Sequence, residues 1–549
     1  MENWRVADYL VQGCAELGVE HIFGVDGANI EDIYDAAARP RSGVRGVVAK
    51  HEFAATAMAH GYARATGGLG VVVATSGGGA MNLVAGLAES FTSQVPVLAL
   101  VGQPARELEG LGAFQDTSGR AGSIDAVQLF TAVSRYCARV DQVRDLPRQF
   151  AAAVEAAFAG GPAVLLLPKD IQRAAIDSRP VRLPPFTPMD PDADDLAAVA
   201  TALGCARERG KVLVIAGDQV ARDNAHHGLR ELVTDLHALV AVTPDAKDVY
   251  GPRDRGYLGV AGMMGHPDVI EAARSAALCL LVGTRFPATA RIALGETPLA
   301  SIGSLPPYAP GIHATSADLA ATLPAIAALM RETGIRTPTL SASTPPASPT
   351  AATRLRPPPA TGPGLRYREV MTALSELLPT GSAVFADAGN TGAAAVHYLD
   401  LPADGRFGLA LGMGGMGYSF GAAIGAAFAD PRPTYVLAGD GSFFMHGMEI
   451  HTAVEHDLPV TFIVLNNNAH AMCVIRDRLY CRNHDDRNRF HPAFLAEGLA
   501  AMFPTLPCYP VRTLGELRDA LTMPGGNGPR FVSIDCDPDE VPPFAPFLD

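Results

Sequence analysis

Two stretches of this chain decide its fold: TYVLAGDGSF at residues 434–443 and VTFIVLNNN at residues 460–468. In each stretch a short apolar run predicts a buried strand, at residues 434–437 and 460–465 respectively. The residues between them predict a helix at about 448–456, so the two strands run in the same direction. The spacing therefore predicts a parallel sheet in which the residues after each strand lie at one edge.

Two oxygen-bearing side chains follow these strands: Asp440, in the GDG of the first stretch, and Asn467, in the NNN of the second. An isolated Asp-Gly after a strand is usually only a turn. Here, however, one carboxylate, one amide oxygen and a nearby carbonyl make an all-oxygen set, which suits Mg²⁺ completed by water and phosphate oxygens. Zinc is excluded because no Cys or His stands at this spacing. The sequence therefore predicts a diphosphate held through a metal.

The overall composition is that of a globular protein of several domains. The chain has 549 residues, of which 48% are hydrophobic and 18% charged, so we expect three or four domains. Glycine (56) and proline (43) together make up about 18% of it, against roughly 12% in average proteins. The net charge of −14 argues against nucleic acid or an anionic membrane surface as a partner.

The cysteines and the ends of the chain bear on its location. The eight cysteines are scattered without a CxxC pair, which indicates free thiols in a reducing compartment. Residues 1–20 show no signal sequence, so we expect a cytoplasmic protein. The uncharged stretch at residues 407–429 is long enough to span a bilayer. Its glycines favour a tight loop instead, so no membrane is expected: Gly412, Gly414, Gly415 and Gly417.

Strand-like and helix-like segments alternate along the chain. The predicted strands lie at residues 21–23, 43–48, 70–74, 96–101 and 163–167, then 211–215, 239–242 and 278–282, and finally 383–386, 434–437, 460–465 and 531–535. This alternation predicts an α/β protein with three doubly wound parallel-sheet domains in series. Proline-rich stretches separate them. We place the domains at residues 1–177, 192–334 and 365–549, with a linker at 335–364.

Two further strand ends carry candidate functional residues. The sequence TSGGGAMN at residues 75–82 lies between a predicted strand and a helix, where glycine lets the backbone approach a ligand. Taken alone, such a stretch is more often only a structural loop. His51 and Glu52 close another predicted strand, but a glutamate in the first turn of a helix is stabilising whatever its function. The residues alone leave both interpretations open.

Together these stretches resemble the thiamine diphosphate-dependent enzymes, specifically the acetolactate synthase and benzaldehyde lyase branches. The family's motif opens with GDG and closes with NN, as around Asp440 and Asn467. Other matching strings are FGVDGAN at 23–29, HEFAA at 51–55, GYARATG at 61–67, TSGGGAMN at 75–82, AFQD at 113–116 and GMGGMG at 412–417. They lie in order over nearly the whole chain.

The resemblance implies an assembly and its cofactors. The first domain binds the aminopyrimidine of thiamine diphosphate, and the third binds the diphosphate through Mg²⁺. In such enzymes the cofactor lies between the first domain of one subunit and the third of another, so we expect a homodimer or a dimer of dimers. Flavin-bearing members hold FAD in the middle domain. Gly217-Asp218 and residues 283–286 end strands there, but this glycine signal is too thin to indicate FAD, so an enzyme without FAD is expected and one with it is the alternative.

The resemblance also implies roles for individual residues. Glu52 hydrogen-bonds N1′ of the aminopyrimidine, Met416 holds the two cofactor rings bent, and the carbonyl of Gly414 accepts from the exocyclic amine. The implied metal ligands are Asp440, Asn467 and the carbonyl of Ala469. The remaining implied cofactor contacts are Thr75, Asn82, Gly389, Asn390, Gly439, Gly441, Ser442 and His470.

Four side chains are candidates for catalysis on the substrate. Gln115 matches an amide that hydrogen-bonds the reacting substrate. Asn29 stands where benzaldehyde lyase carries a histidine, so this chain lacks that proton relay. His51 either orients the pocket or is structural. His470 lies beside the metal ligands, and an imidazole with an ordinary pKa near ~6.5 shuttles protons readily.

Two segments depart from the acetolactate synthase pattern. Residues 118–123, SGRAGS, form an insertion in a loop that faces the active site of relatives. There Arg120 either pairs with a substrate carboxylate or remains a solvated loop residue. Residues 476–491 are dense in charge where an apolar run is expected, which is typical of a lid or of a solvated surface.

We therefore expect a carboligase that decarboxylates a 2-oxo acid such as pyruvate and adds the acyl group to a second carbonyl. The alternative is a benzaldehyde lyase-like or decarboxylase-type enzyme that forms or cleaves acyloins from aldehydes. An NAD-dependent oxidoreductase is disfavoured because no GxGxxG follows the first strand. A binding protein without catalysis is disfavoured by the intact Glu52, Asp440 and Asn467.

Overall fold

The structure is a computed structural model that describes residues 4–40, 42–180, 191–332, 352–481, 486–523 and 528–548. Three parallel six-stranded sheets follow one another along the chain, with helices between the strands. This confirms the predicted α/β class with three doubly wound sheets in series. We call the regions around the sheets the first, middle and third units; the domain bounds at 177, 192, 334 and 365 stay predictions.

The first unit has the strand order β2-β1-β3-β4-β6-β5. Its strands are β1 (His21–Val25), β2 (Arg45–Val48), β3 (Gly70–Ala74), β4 (Val97–Gln103), β5 (Tyr136–Arg139) and β6 (Pro162–Pro168). Its helices are α1 (Val6–Glu16), α2 (Glu31–Ala37), α3 (Glu52–Thr66), α4 (Gly78–Thr92), α5 (Ala126–Thr131), α6 (Leu146–Phe158) and α7 (Lys169–Arg173).

The middle unit has the order β12-β11-β10-β7-β8-β9, so its strand sequence reverses between β10 and β7. Its strands are β7 (Val212–Ala216), β8 (Leu239–Val242), β9 (Tyr257–Val260), β10 (Leu278–Val282), β11 (Leu299–Gly303) and β12 (Ile312–Thr315). Its helices are α8 (Ala193–Arg209), α9 (Gln219–Arg222), α10 (His226–Leu236), α11 (Pro267–Ser275) and α12 (Leu319–Glu332).

The third unit has the order β14-β13-β15-β16-β18-β17. Its strands are β13 (Ala383–Ala386), β14 (Arg406–Leu409), β15 (Thr434–Gly439), β16 (Val460–Asn466), β17 (Cys508–Val511) and β18 (Arg530–Asp535). Its helices are α13 (Tyr367–Leu377), α14 (Asn390–Tyr398), α15 (Tyr418–Ala429), α16 (Asp440–His446), α17 (Ile450–Glu455), α18 (Ala471–Tyr480), α19 (Leu495–Met502) and α20 (Leu514–Thr522).

The first and third sheets correspond strand by strand. By position in the strand order, β2 corresponds to β14, β1 to β13 and β3 to β15. The sequence showed only a coarse likeness between these units, because their strands share no obvious string. The loop after β2 is therefore equivalent to the loop after β14, and α4 is equivalent to the segment after β15.

Two sequence expectations need correction. The residues after β15 turn directly into α16, which begins at Asp440 itself, and α17 covers Ile450–Glu455 rather than a single helix at 448–456. Several strands escaped prediction, for a common reason. The edge strand β5 is only half-buried along its length, and β14 starts with an arginine and contains a glycine, so neither has a continuous apolar run.

Helices α3 and α15 pack against each other and join the first and third units in one apolar core. The backbones approach closely through small residues: a Cβ added at Gly61 or Gly425 would lie well under 3.0 Å from a backbone carbonyl of the other helix. The uncharged stretch at 407–429 is thus explained by burial between two sheets. Among the described residues, no helix is both long and apolar enough to cross a bilayer. All eight cysteines are unpaired, as their scatter indicated.

The close approach of α3 and α15 predicts a specific loss of stability. Gly425→Ala should lower the free energy of unfolding by about 1–3 kcal/mol, because the new methyl group overlaps the Met58 carbonyl and the helices must separate. Thermal unfolding should show a lower Tm. Gly498→Ala in α19 is the matched control, since nothing lies within 4 Å of its added Cβ. A Gly425→Ala protein that melts at or above the wild-type temperature would contradict this packing.

Candidate active site

The first group of predicted site residues lies at the carboxyl-end edge of the first sheet. Glu52 is the first residue of α3 and only 8% exposed. Its Oε2 accepts a hydrogen bond from Asn82 Nδ2 at 2.9 Å. A Cβ at Gly79 would lie 3.0 Å from Glu52 Oε1, so the glycine at this point of α4 gives the carboxylate room. No hydrogen bond within the described part of the chain reaches Oε1.

Asn29, Thr75 and Gln115 form one hydrogen-bonded network beside this carboxylate. Thr75 Oγ1 accepts from the Asn29 backbone N–H and donates to Gln115 Oε1, both at 3.2 Å. The Asn29 amide donates to Ser76 Oγ at 2.7 Å. Gln115 has a φ of +60°, a conformation that non-glycine residues rarely adopt and that clusters at functional sites. The structure thus brings these three predicted residues together.

His51 has a local role in the helix that carries Glu52. Its Nδ1 accepts from the Phe53 backbone N–H at 3.1 Å, so the imidazole caps α3. Its ring centroid lies 4.9 Å from that of His446 in the third unit. These contacts account for His51 as a structural residue, and its role toward a cofactor stays a prediction.

The second group lies at the carboxyl ends of β15 and β16, which pair in parallel as predicted. The Ala469 backbone N–H donates to Asp440 Oδ2 at 3.2 Å and to Asn467 Oδ1 at 3.1 Å. Asn467 Nδ2 donates to the Tyr367 hydroxyl at 3.0 Å, which turns Oδ1 toward Asp440. Asp440 and Asn467 therefore meet at the Ala469 backbone N–H, and the role of the Ala469 carbonyl as a metal ligand stays a prediction.

The buried Asp440 carboxylate lacks a partner for one of its oxygens. Asp440 is 1% exposed, and its Oδ1 has no hydrogen bond within the described residues. Burial raises the pKa of this carboxyl to about 7. A buried, uncompensated acceptor of this kind is costly unless a cation or a donor meets it.

Asp387 organises the surroundings of this oxygen set, and the sequence analysis missed it. Its carboxylate accepts from the backbone N–H groups of Gly417 and Ser419 and from the Ser442 hydroxyl, the last at 2.6 Å. Asp387 follows β13 directly and precedes Gly389, as Asp440 follows β15 and precedes Gly441. That strand–Asp–Gly pattern was the available signal.

Met416, His470 and Gly441 meet beside Asp440. A Cβ at Gly441 would fall under 3.0 Å from the His470 imidazole and 3.4 Å from Met416 Cε, so only glycine fits between them. The His470 ring contacts the ring of Phe490 edge-on at 4.7 Å, and burial lowers the pKa of the imidazole. Two further predicted cofactor contacts lie at helix starts. Gly439 immediately precedes α16, and Asn390 is the first residue of α14.

The two departing segments are anchored to the protein itself. Arg120 Nε lies 3.6 Å from the buried Glu109 carboxylate, although the arginine side chain is largely exposed. Arg478 and Arg489 both pair with Asp539 in the C-terminal tail. Residues 482–485 of the charged segment lie outside the described residues. The choice between a lid and a solvated surface stays open.

The two groups of site residues are not linked to each other by a direct polar contact in the described part of the chain. In the described part of the molecule, no hydrogen bond or ion pair joins Glu52, Asn82 or Gln115 to Asp440, Asn467 or Ala469. The neighbours of Glu52 on both sides, His51 and Phe53, contact the third unit instead, and the Phe53 ring stacks on that of His446 with the ring centroids 4.6 Å apart. We call the first group the Glu52 half-site and the second the Asp440 half-site.

Comparison with known protein families bears on both half-sites. Models of the thiamine pyrophosphate enzyme N-terminal, central and C-terminal domains match residues 4–123, 196–303 and 387–534. The chain belongs to the thiamine pyrophosphate enzyme family. The Glu52 half-site lies within the N-terminal match and the Asp440 half-site within the C-terminal one, and both match regions are TPP binding domains. The family resemblance is thereby confirmed.

Individual relatives cover almost the whole chain of this thiamine pyrophosphate enzyme. It is 28% identical to the acetolactate synthase isozyme 2 large subunit of Escherichia coli, over 98% of each chain. It is also 28% identical to the chloroplastic acetolactate synthase 3 of Brassica napus, over 99% of this chain and 86% of that one. The X-ray structure of a candidate thiamin diphosphate-dependent enzyme from Mycobacterium smegmatis superimposes with a TM-score of 0.80 at 22% identity, covering 97% of this chain and 99% of the other.

The residues of the Asp440 half-site fit thiamine diphosphate (thiamine pyrophosphate) and a divalent cation. The partnerless Asp440 Oδ1 is the atom that a cation would satisfy. Among the described residues, no cluster of three or more His, Cys, Asp or Glu is placed to hold a metal. Phosphate oxygens of the cofactor would complete the coordination of a cation here. A Cβ added at Gly389 or Gly414 meets nothing within 4 Å, so both backbones border open space.

Proposed function

We propose that this protein is a thiamine diphosphate- and Mg²⁺-dependent carboligase. It decarboxylates a 2-oxo acid such as pyruvate, releasing CO₂, and joins the remaining acyl carbon to the carbonyl carbon of a second substrate, whose oxygen takes up a proton. The observation that carries the proposal is the pair of half-sites. In one, the buried Asp440 carboxylate has an oxygen without a partner among the described residues and lies beside Asn467. In the other, the Glu52 carboxylate lies at the carboxyl-end edge of the first sheet. The likeness to acetolactate synthases supports carboligation over other reactions of the family.

The cofactor, when bound, supplies an electron sink for the bond that breaks at the substrate carbonyl. The chain supplies the acid–base group. Asn82 fixes Glu52 Oε2, so the free Oε1 is the oxygen that holds or moves a proton on the aminopyrimidine. Burial keeps competing water away from this oxygen and strengthens its hydrogen bond.

Asp440, Asn467 and the carbonyl of Ala469 hold Mg²⁺. The open backbones at Gly389 and Gly414 and the start of α14 accommodate the cofactor's diphosphate and amine. An anion that arrives with its own cation agrees with a chain of net charge −14.

Gln115 binds the reacting substrate. Its Oε1 accepts a hydrogen bond from the Thr75 hydroxyl, so its Nε2 remains to donate to a substrate oxygen. The Asn29 backbone N–H donates to the same Thr75 hydroxyl, so it helps to hold the Gln115 amide in place. His470 borders the Asp440 half-site beside Met416, where its imidazole shuttles protons.

A homodimer or a dimer of dimers completes the site, with the Glu52 half-site of one subunit facing the Asp440 half-site of another. Large apolar side chains beside both half-sites support this assembly, because such exposed groups usually mark an interface. They are Leu108, Leu111, Phe114 and Ile124 in the first unit and Met413, Phe444, Met445 and Met448 in the third.

The enzyme works without FAD. In an open parallel sheet, a dinucleotide lies where the strand order reverses, here between β10 and β7. The buried Gln219, which follows β7, lies against Gly283 after β10, and its side chain accepts from Ser304 N–H at 2.8 Å and donates to the Ser316 carbonyl at 2.9 Å. The protein's own side chain thus occupies space at this edge of the sheet. Flavin absorbance in the purified protein would contradict this part of the proposal.

Product analysis tests the proposed reaction. Purified protein with thiamine diphosphate, Mg²⁺ and pyruvate, alone and with aldehydes, should release CO₂ and yield a product that carries both carbon units by mass spectrometry. Aldehyde release without ligation would favour the alternative, a lyase or decarboxylase. If the protein converted neither pyruvate nor any other 2-oxo acid or acyloin offered to it, the proposal that it is an enzyme of this reaction class would be overturned.

A further inference from the structure

Two buried glutamates outside the proposed machinery join the first and third units. Glu89 in α4 is 3% exposed, and Glu449, between α16 and α17, is 1% exposed. Each carboxylate accepts backbone N–H groups from the opposite unit. A buried carboxylate is retained only where strong hydrogen bonds compensate its desolvation, so these contacts are specific features of the fold.

Glu89 binds the start of the glycine loop that leads to Met416. Its Oε1 accepts from Gly412 N–H at 3.1 Å, and its Oε2 accepts from Met413 N–H at 2.6 Å and Gly414 N–H at 3.2 Å. Asp387 binds the other end of the loop at Gly417. The loop that carries Gly414 and Met416 is therefore fixed at both ends, once from its own unit and once from the first.

Glu449 binds the residues that lead to Glu52. Both of its oxygens accept from Lys50 N–H at 3.1 Å, and its Oε1 also accepts from the Thr452 hydroxyl at 2.6 Å. Lys50 follows β2 and immediately precedes His51 and Glu52. The start of α3 is thus held from the third unit.

These two contacts are equivalent under the strand correspondence of the two sheets. Glu89 lies in the helix after β3 and binds the loop after β14, whereas Glu449 lies in the segment after β15 and binds the loop after β2. Because β3 corresponds to β15 and β2 to β14, each unit uses the same place in its fold to hold the same place in the other. We call Glu89 and Glu449 the crossed glutamates.

We propose that the crossed glutamates are positioning residues, each of which fixes the cofactor-facing loop of the opposite unit. Glu89 sets the carbonyl of Gly414 and the side chain of Met416, and Glu449 sets the carboxylate of Glu52. The inference rests on the proposed function for the roles of those three residues. Within one chain, α4 also carries Asn82 two turns before Glu89, so the same helix touches Glu52 and the glycine loop, which belong to two different sites of the dimer.

Hydrogen exchange of the cofactor-free protein tests the crossed contacts directly. Glu89→Ala should speed exchange of the amides at Gly412, Met413 and Gly414 by about tenfold or more and leave Lys50 unchanged. Glu449→Ala should do the reverse. Each variant is the control for the other, and unchanged protection of β3 and β15 verifies folding. Faster exchange in the wrong loop, or in neither, would overturn the proposal.

Graded variants separate the carboxylate from mere packing. Gln in place of Glu89 keeps the shape and one acceptor oxygen, so its loop should exchange at an intermediate rate. Ser93→Ala removes only a hydroxyl that donates to Glu89 Oε1, so it should leave the loop as in the wild type. If the loop amides of Glu89→Gln and Glu89→Ala exchange at the wild-type rate, the loop does not depend on this carboxylate.

Isothermal titration calorimetry then tests whether the two loops matter for the cofactor. Thiamine diphosphate is titrated into each protein in the presence of Mg²⁺, and the affinities are compared. Both alanine variants should bind it about tenfold or more weakly, measured at a temperature well below the Tm of each cofactor-free variant. Wild-type protein that binds no thiamine diphosphate would refute the proposed function while leaving the exchange result intact. Wild-type protein that binds it, with variants that bind equally well, would refute the positioning role alone.

Discussion

Glu52→Gln is expected to lower kcat for CO₂ release from pyruvate by about 10²–10⁴-fold, the usual contribution of a positioned acid–base group. Glutamine keeps the size of the side chain and can still accept from Asn82 through its amide oxygen. It loses the charge and the proton-accepting oxygen at the Oε1 position. The loss should therefore fall on kcat, with the fold and the binding of Mg²⁺ intact.

Steady-state kinetics at saturating thiamine diphosphate measures this effect. Glu16→Gln makes the same change of charge at an exposed position of α1 and should be as active as wild type. A Glu52→Gln enzyme that keeps more than half of the wild-type kcat would show that this carboxylate only stabilises the first turn of α3 and takes no part in catalysis.

Asp440→Asn is expected to weaken binding of thiamine diphosphate with Mg²⁺ by at least about a hundredfold, which corresponds to about 2.7 kcal/mol. Asp440 supplies the only carboxylate of the oxygen set, and asparagine presents a single neutral oxygen to the cation. The cofactor-free variant should be as stable as wild type or more stable at pH 8. Burial raises the pKa of this carboxyl to about 7, so its ionised form disfavours folding once the pH exceeds the ordinary aspartate pKa.

Titration calorimetry and thermal unfolding of the cofactor-free protein measure these two changes. Asp457→Asn is the control: Asp457 is exposed in the same unit and has a φ of +49°, which asparagine tolerates. Its affinity for the cofactor should equal that of wild type. A destabilised Asp440→Asn protein with normal affinity would mean that Asp440 serves the fold and not the metal.

The sequence predicted the central strands because each is a short apolar run between turn residues. It predicted the convergence of Asp440 and Asn467 because parallel neighbours place their ends at one edge, and β15 and β16 do pair in this way. It failed where a strand lies at the sheet edge, as β5 does, since half-buried residues leave no apolar signature. It also failed in the segment after β15, where a single helix at about 448–456 was expected and α16 begins at Asp440 instead.

The glycine excess is explained only in part by the cofactor. Gly389 and Gly414, which the family resemblance implied as cofactor contacts, border open space at the Asp440 half-site. Gly61 and Gly425, however, serve the contact between α3 and α15, which no local pattern announces because it joins residues hundreds of positions apart. For the same reason no local pattern marks Glu89 and Glu449, because their partners are backbone amides in another unit.

The central claim is that two half-sites, one with Glu52 and one with Asp440, complete each other across two subunits. Co-expression of Glu52→Gln with Asp440→Asn tests it most directly, because each variant supplies the half-site that the other lacks. Random pairing makes half of the dimers mixed, each with one intact site of two, so the mixture should regain about a quarter of wild-type CO₂ release from pyruvate. A mixture that stays as inactive as either variant expressed alone would contradict the claim.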